Sequence, residues 1–110
     1  MAGPRPGRQA RGSHTGRPIM ALLDLLGRRW ALRIGWELRA GPLSFRALQE
    51  RCGGLSPSVL SRRLAELREA GIVELREGGG YALTGEGRIL GKTLLAMDAW
   101  AKRWGRRARG

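Results

Sequence analysis

Apolar residues recur at intervals of three and four through most of this chain and at intervals of two through one short stretch, so helices and a single hairpin are expected. Ile19, Leu22, Leu23 and Leu26 share one face of a first helix that opens near Pro18 and is broken or bent by Gly27. Trp30, Ile34 and Leu38 carry a second helix over Trp30 to Ala40, closed by the paired stop signals Gly41 and Pro42. Leu43 is left as a short extended link. Ser44 is placed to accept a hydrogen bond from a free amide at the start of a third helix, Phe45 to Arg51, whose inner face holds Phe45, Leu48 and Cys52.

The sharpest local signal follows the glycine pair Gly53 and Gly54. Ser56 has the chemistry of an N-cap and Pro57 that of a first helical residue, and Leu60, Leu64 and Leu67 then follow at i, i+4 and i+7. Gly71 marks the end of this fourth helix. Beyond it the period becomes two, with Val73 and Leu75 alternating against Glu74 and Arg76, and Tyr81 and Leu83 against Ala82 and Thr84. Gly78, Gly79 and Gly80 form the tip of the hairpin. Thr84 can cap a last long helix, along which Leu90, Leu94, Met97, Ala101 and Trp104 make a seam for another helix. The fold class that results is mainly α with a small β-hairpin, in which two helices around Cys52-Gly53-Gly54-Leu55 form a helix-turn-helix and the hairpin is its wing.

On the fourth helix the leucines take one face, and a wheel at about 100° per residue sets Ser58, Arg62, Ala65 and Glu69 opposite them with Ser61 to one side. A helix that reads the major groove needs such a polar, hydrogen-bonding outer face. Arg62 can donate twice to a guanine edge, and Ser58 and Ser61 can reach bases beside it. Ser56, Arg63 and Arg76 are assigned to phosphates, Arg63 because it lies nearer the buried side and Arg76 because it stands at the wing. The same polar face would serve any solvated amphipathic helix; the glycine turn before it and the hairpin after it favour DNA. Glu66 and Glu69 suit a far half that lies away from phosphate.

Composition changes this picture less than its extremes suggest. The chain has 110 residues, 21 Lys and Arg against 9 Asp and Glu, and a net charge of +12, a balance that favours a polyanionic partner. Most of that excess lies at the ends: Arg5, Arg8, Arg11 and Arg17 in a Gly- and Pro-rich arm over residues 1–17, and Lys102, Arg103, Arg106, Arg107 and Arg109 toward a basic tail over 106–110. The domain expected over 18–105 sits between them, and from Ile19 to Ala101 it holds 12 basic residues against 9 acidic ones. The length suits one domain and leaves no room for a separate catalytic one. A lone cysteine, Cys52, permits no intrachain disulfide and points to the reducing cytoplasm.

No apolar run approaches the ~20 residues of a membrane-spanning helix. The only histidine, His14, lies in the arm, and the acids are scattered, so neither a metal nor a cofactor is expected and an enzyme is not. Gly91-Lys92-Thr93 imitates the end of a phosphate-binding loop, but Glu86 stands where that motif needs glycine. Trp30, Trp36, Trp100 and Trp104 suit core or interface positions better than a pocket for an aromatic effector.

Taken together, Ala21-Leu22-Leu23-Asp24-Leu25-Leu26-Gly27, Trp30, Gly41-Pro42-Leu43-Ser44-Phe45-Arg46-Ala47-Leu48, Leu55 through Leu64, Glu69-Ala70-Gly71-Ile72-Val73 and Tyr81 through Gly87 resemble the HxlR family of bacterial regulators. That resemblance implies a homodimer joined through its first and last helices, with two recognition helices in successive major grooves of a palindromic operator. Ile19, Leu22, Leu23, Leu90, Leu94, Met97, Ala101 and Trp104 are the residues it assigns to the interface. Many members of the family carry a reactive cysteine and a proline just before the first helix; this chain has Arg17-Pro18, so a thiol switch there is absent. Two other functions fit a small basic winged helix: coating nucleic acid without sequence preference, and docking another protein.

Overall fold

A computed structural model describes residues 16–108. The arm before Gly16, with His14, and the last two residues lie outside the described residues. Five helices and three short strands follow in order: α1 Pro18–Leu26, α2 Ala31–Leu38, β1 Leu43–Ser44, α3 Phe45–Arg51, α4 Pro57–Glu69, β2 Val73–Leu75, β3 Gly80–Leu83 and α5 Gly85–Ala108. Their starts and stops are those the caps dictate. The Ser44 hydroxyl oxygen accepts from Ala47 N at 3.0 Å, that of Ser56 from Val59 N at 3.3 Å, and that of Thr84 from Gly87 N at 3.0 Å.

Ile34, Leu38, Leu48, Leu60, Leu64, Leu67 and Val73 form the centre of the core, with Leu25, Cys52, Leu55 and Leu83 around them. Three of the eleven come from α4, the helix that the core therefore holds most firmly. The sheet is antiparallel and runs β1-β3-β2, with Val73 opposite Leu83, Leu75 opposite Tyr81, and Leu43 opposite Tyr81 on the other edge. The expected extended link at Leu43 is thus a third strand. It leans on the wing because β3 would otherwise present an unpaired edge.

Three boundaries and one helix face differ from the periodic reading. Trp30, expected inside the second helix, precedes α2 with φ of 77°, a left-handed conformation uncommon outside glycine. Its ring packs against the core while the Arg29 guanidinium lies 5.6 Å above the ring. On α1, Ala21 and Leu25 are the buried residues, and Ile19 and Leu23 point outward. Gly80 belongs to β3, so the reversal is made by Arg76 to Gly79, with Gly79 N donating to Arg76 O at 3.0 Å and positive φ at Gly78 and Gly79. Finally, α5 continues to Ala108 and carries Lys102, Arg103, Arg106 and Arg107 on helix where a free tail was expected from 106.

Candidate nucleic-acid interface

Two successive left-handed glycines, Gly53 at φ 74° and Gly54 at φ 78°, turn the chain sharply between α3 and α4. Gln49 Nε2 braces the turn by donating to Leu55 O at 2.9 Å, and Cys52 N and Gly54 N close on Leu48 O and Gln49 O. Leu55 and Cys52 are buried beneath. The angle between the two helices is therefore fixed by backbone geometry and a packed floor, with no need of a ligand.

Given that anchoring, the leucine face of α4 is turned into the core and Ser58, Ser61, Arg62 and Ala65 are exposed on the other side. Arg62 makes no hydrogen bond or ion pair among the described residues, so its guanidinium is available in full. Ser58 lies with its hydroxyl 3.4 Å from that of Ser56. Ser56 uses an oxygen lone pair on Val59 N as the cap, which leaves its proton to donate outward. At the wing, Arg76 is about half exposed and leans on Glu74, Nε to Oε2 at 3.3 Å; an exposed pair of this kind is worth little and yields readily to a phosphate.

Arg63 is placed otherwise than its assignment to a phosphate required. Its Nη1 donates to Glu66 Oε1 at 2.9 Å and its Nε to the carbonyl of Arg29 at 2.9 Å, so the side chain lies against the protein. Arg28 Nη1 donates to the other oxygen of the same carboxylate, Oε2, at 2.5 Å. Glu66 itself is 9% exposed. The sequence reading put Glu66 simply away from the DNA; no local pattern marks it as a buried ion, because its two partners come from one turn along α4 and from a corner 38 residues back.

The remaining surface is apolar and lies elsewhere. Of its 24 residues α5 buries only Gly87. Met97 is 59% exposed and Trp104 60%. The rings of Trp100 and Trp104 stack on each other, 5.9 Å between centroids and 14° from parallel. Leu90 and Leu94 are half-buried, Ala101 is exposed, and on α1 Ile19 and Leu23 are exposed with Leu22 half-buried. A groove of about 640 Å³ runs between α2 and α5, floored by Leu67, Ile72 and Leu83 and flanked by Trp36, Leu90 and Leu94. Among the described residues no group of His, Cys, Asp and Glu is arranged to hold a metal, and no helix is long and apolar enough to cross a membrane.

The family model for the HxlR-like helix-turn-helix matches residues 25–109, from the end of α1 through α5. This chain belongs to the HxlR family. It is 33% identical over 88 residues to the HTH-type transcriptional regulator YvaP of Bacillus subtilis, covering 74% of this chain and 82% of that protein. It is 37% identical over 84 residues to the HTH-type transcriptional regulator YodB of the same organism, covering 71% and 75%. The crystal structure of quinone-bound YodB superposes with a TM-score of 0.73 at 34% identity over 77% of this chain and 96% of that one. The reduced form of the redox regulator HypR gives 0.67 at 26% identity over 78% and 91%. As an HxlR-type winged helix-turn-helix protein, the chain is a DNA-binding transcriptional regulator and not an enzyme.

Proposed function

We propose that this HxlR-family chain reads a palindromic duplex operator as a homodimer, with Ser58, Ser61 and Arg62 on base edges in the major groove and with Ser56, Arg76 and the basic arm on phosphates. The observation that carries the reading is the outer face of α4. It offers an unengaged arginine and two serines from a helix whose pitch is set by the glycine turn, the leucine core and the adjacent wing. Arg63 is left out of this set because its guanidinium is already held by Glu66 and Arg29 O.

The dimer rests on a different observation. A helix of 24 residues that buries one glycine and exposes Met97, Trp100 and Trp104 has an apolar face its own domain does not cover. Ile19, Leu22 and Leu23 of α1 and Leu90, Leu94, Met97, Ala101 and Trp104 of α5 are the residues a second copy would cover, closing the groove beside α2. To read successive major grooves, such a two-fold dimer has to hold its recognition helices about 34–36 Å apart, one helical turn of DNA. Such a regulator acts where the chromosome is, in the cytoplasm.

Selection from random duplexes with the purified protein tests both parts at once. The expected result is an enriched palindrome with half-sites about 10 base pairs apart; enrichment without sequence preference, or none at moderate salt, overturns the reading. Arg62→Ala is expected to relax preference at one base position of each half-site by about 1–3 kcal/mol. An unchanged base profile in competition binding removes Arg62 from that role.

A further inference from the structure

Glu66 is the one charged side chain that is buried among the described residues, and the DNA contacts make no use of it. Its two oxygens are taken by different arginines: Oε2 by Arg28 Nη1 at 2.5 Å and Oε1 by Arg63 Nη1 at 2.9 Å. Arg28 stands in the corner just after α1 and reaches back with Nη2 to Asp24 on α1 at 3.3 Å. Arg63 completes the tie by donating from Nε to the carbonyl of Arg29 in that same corner. A continuous chain of charge-assisted hydrogen bonds therefore runs from α1, through the α1–α2 corner, into the middle of α4.

Stability alone does not call for such an arrangement, because apolar side chains of similar size hold two elements together at least as well as a buried ion pair. What guanidinium and carboxylate add is direction: both are planar forks that bond only in defined orientations. The leucines Leu60, Leu64 and Leu67 press α4 onto the core but tolerate small slides and rotations. A carboxylate held at Oε2 by Arg28 of the α1–α2 corner, and at Oε1 by Arg63 that is itself bonded to the Arg29 carbonyl of that corner, does not.

The geometry points to Asp24, Arg28, Glu66 and Arg63 as positioning residues that register the recognition helix against α1, and so set the half-site spacing the protein accepts. This rests on the proposed dimer through α1 and α5. In that dimer α1 is fixed to the two-fold axis, and the chain of hydrogen bonds carries its frame to α4. The two copies of Arg62 are then held at one separation and one rotation. Each base pair added to a spacer moves a half-site by about 3.4 Å and turns it by about 35°, displacements that rigidly registered helices cannot follow and loosely registered ones can.

The test uses the palindrome obtained by selection, versions with the spacer one base pair longer and one shorter, and an isolated half-site. Binding is measured for the full-length protein and for Glu66→Gln and Asp24→Asn. The wild type is expected to prefer the native spacing. In both variants that preference should shrink about five- to tenfold, while affinity for the isolated half-site stays within about twofold. Asp24 is only half-buried and its bond to Arg28 lies at the rim of the network, so Asp24→Asn is expected to fold and carries the test alone if Glu66→Gln does not.

Two outcomes overturn the inference. One is unchanged spacing preference in the folded variants, even with a lowered melting temperature, which reduces the ties to packing. The other is an equal loss on the isolated half-site, which places their effect in α4 itself. Failure of the underlying dimer reading is separately visible: the wild type would then bind the half-site as tightly as the palindrome before any substitution is made, and the inference falls with it.

Discussion

At the scale of single residues, two positions show how the fold constrains chemistry. Gly87 is buried where α5 starts, against the backbone of Ile72, and a Cβ there would collide with the Ile72 carbonyl oxygen. Gly87→Ala is expected to destabilise the protein by about 1–3 kcal/mol, since the overlap outweighs the ~1 kcal/mol of helix propensity that alanine gains. Gly85→Ala, two residues earlier in open space, should be neutral or slightly stabilising; denaturant melts of the pair check the contrast. Cys52 is 3% exposed in the floor of the helix-turn-helix. Burial pushes its thiol up from the ordinary value, Arg33 draws it partly back, and Glu37 adds to the rise. The fold thus favours the neutral thiol, so this contribution to stability is whole below the ordinary thiol pKa of about 8.5 and is lost as pH rises from there through the raised value. Cys52→Ala should flatten that alkaline loss, and in the native wild type a thiol reagent should modify Cys52 far more slowly than in the unfolded chain.

Among the elements, α5 has the least to do with its own domain. Its first turn is tied down by Thr84, whose hydroxyl accepts from Gly87 N and donates to Gly71 O at 2.6 Å, and its remaining length projects apolar side chains outward. Met97→Glu places a charge on that face without touching the core. The expected outcome is a folded monomer by sedimentation or light scattering, with operator affinity reduced at least about tenfold because the second half-site no longer helps. A dimer that survives the substitution moves the interface elsewhere. The recognition helix is the opposite case: its cap, its proline and its leucines all agree, which is why its bounds were legible to within a residue of Ser56 and Ala70.

For the whole molecule the leading quantity is charge and where it sits. Arg5, Arg8 and Arg11 precede the described residues, while four of the C-terminal cations ride on the last part of α5, where Arg106 and Arg107 in the final turn also suit the negative end of the helix dipole. Removing residues 1–15 should leave the selected sequence preference intact. It should also make the dependence of log K on log salt shallower by up to about three per protomer, one for each lost phosphate contact. A deletion that abolishes selective binding would assign recognition to the arm instead of α4. The wing is too short to carry much of this load: Glu77, Gly78 and Gly79 make its tip, and Arg76 is its one cation.

The order of helices and strands, the caps at Ser44, Ser56 and Thr84, the glycine turn and the outward serines and arginine of α4 were all written locally, because each depends on residues a few positions apart. The family likeness was legible for the same reason. What only the tertiary structure decided are the matters that join distant segments. Leu43–Ser44 became a strand because β3 came to lie beside it, and Trp30 took a left-handed conformation to seat its ring against a core built from other elements. Arg63 was drawn away from solvent because Arg28 reaches Glu66, and the Arg29 carbonyl reaches Arg63, only when the α1–α2 corner folds against α4. Amphipathic spacing tells which side of a helix is polar; which polar groups on that side find one another depends on what folds against it.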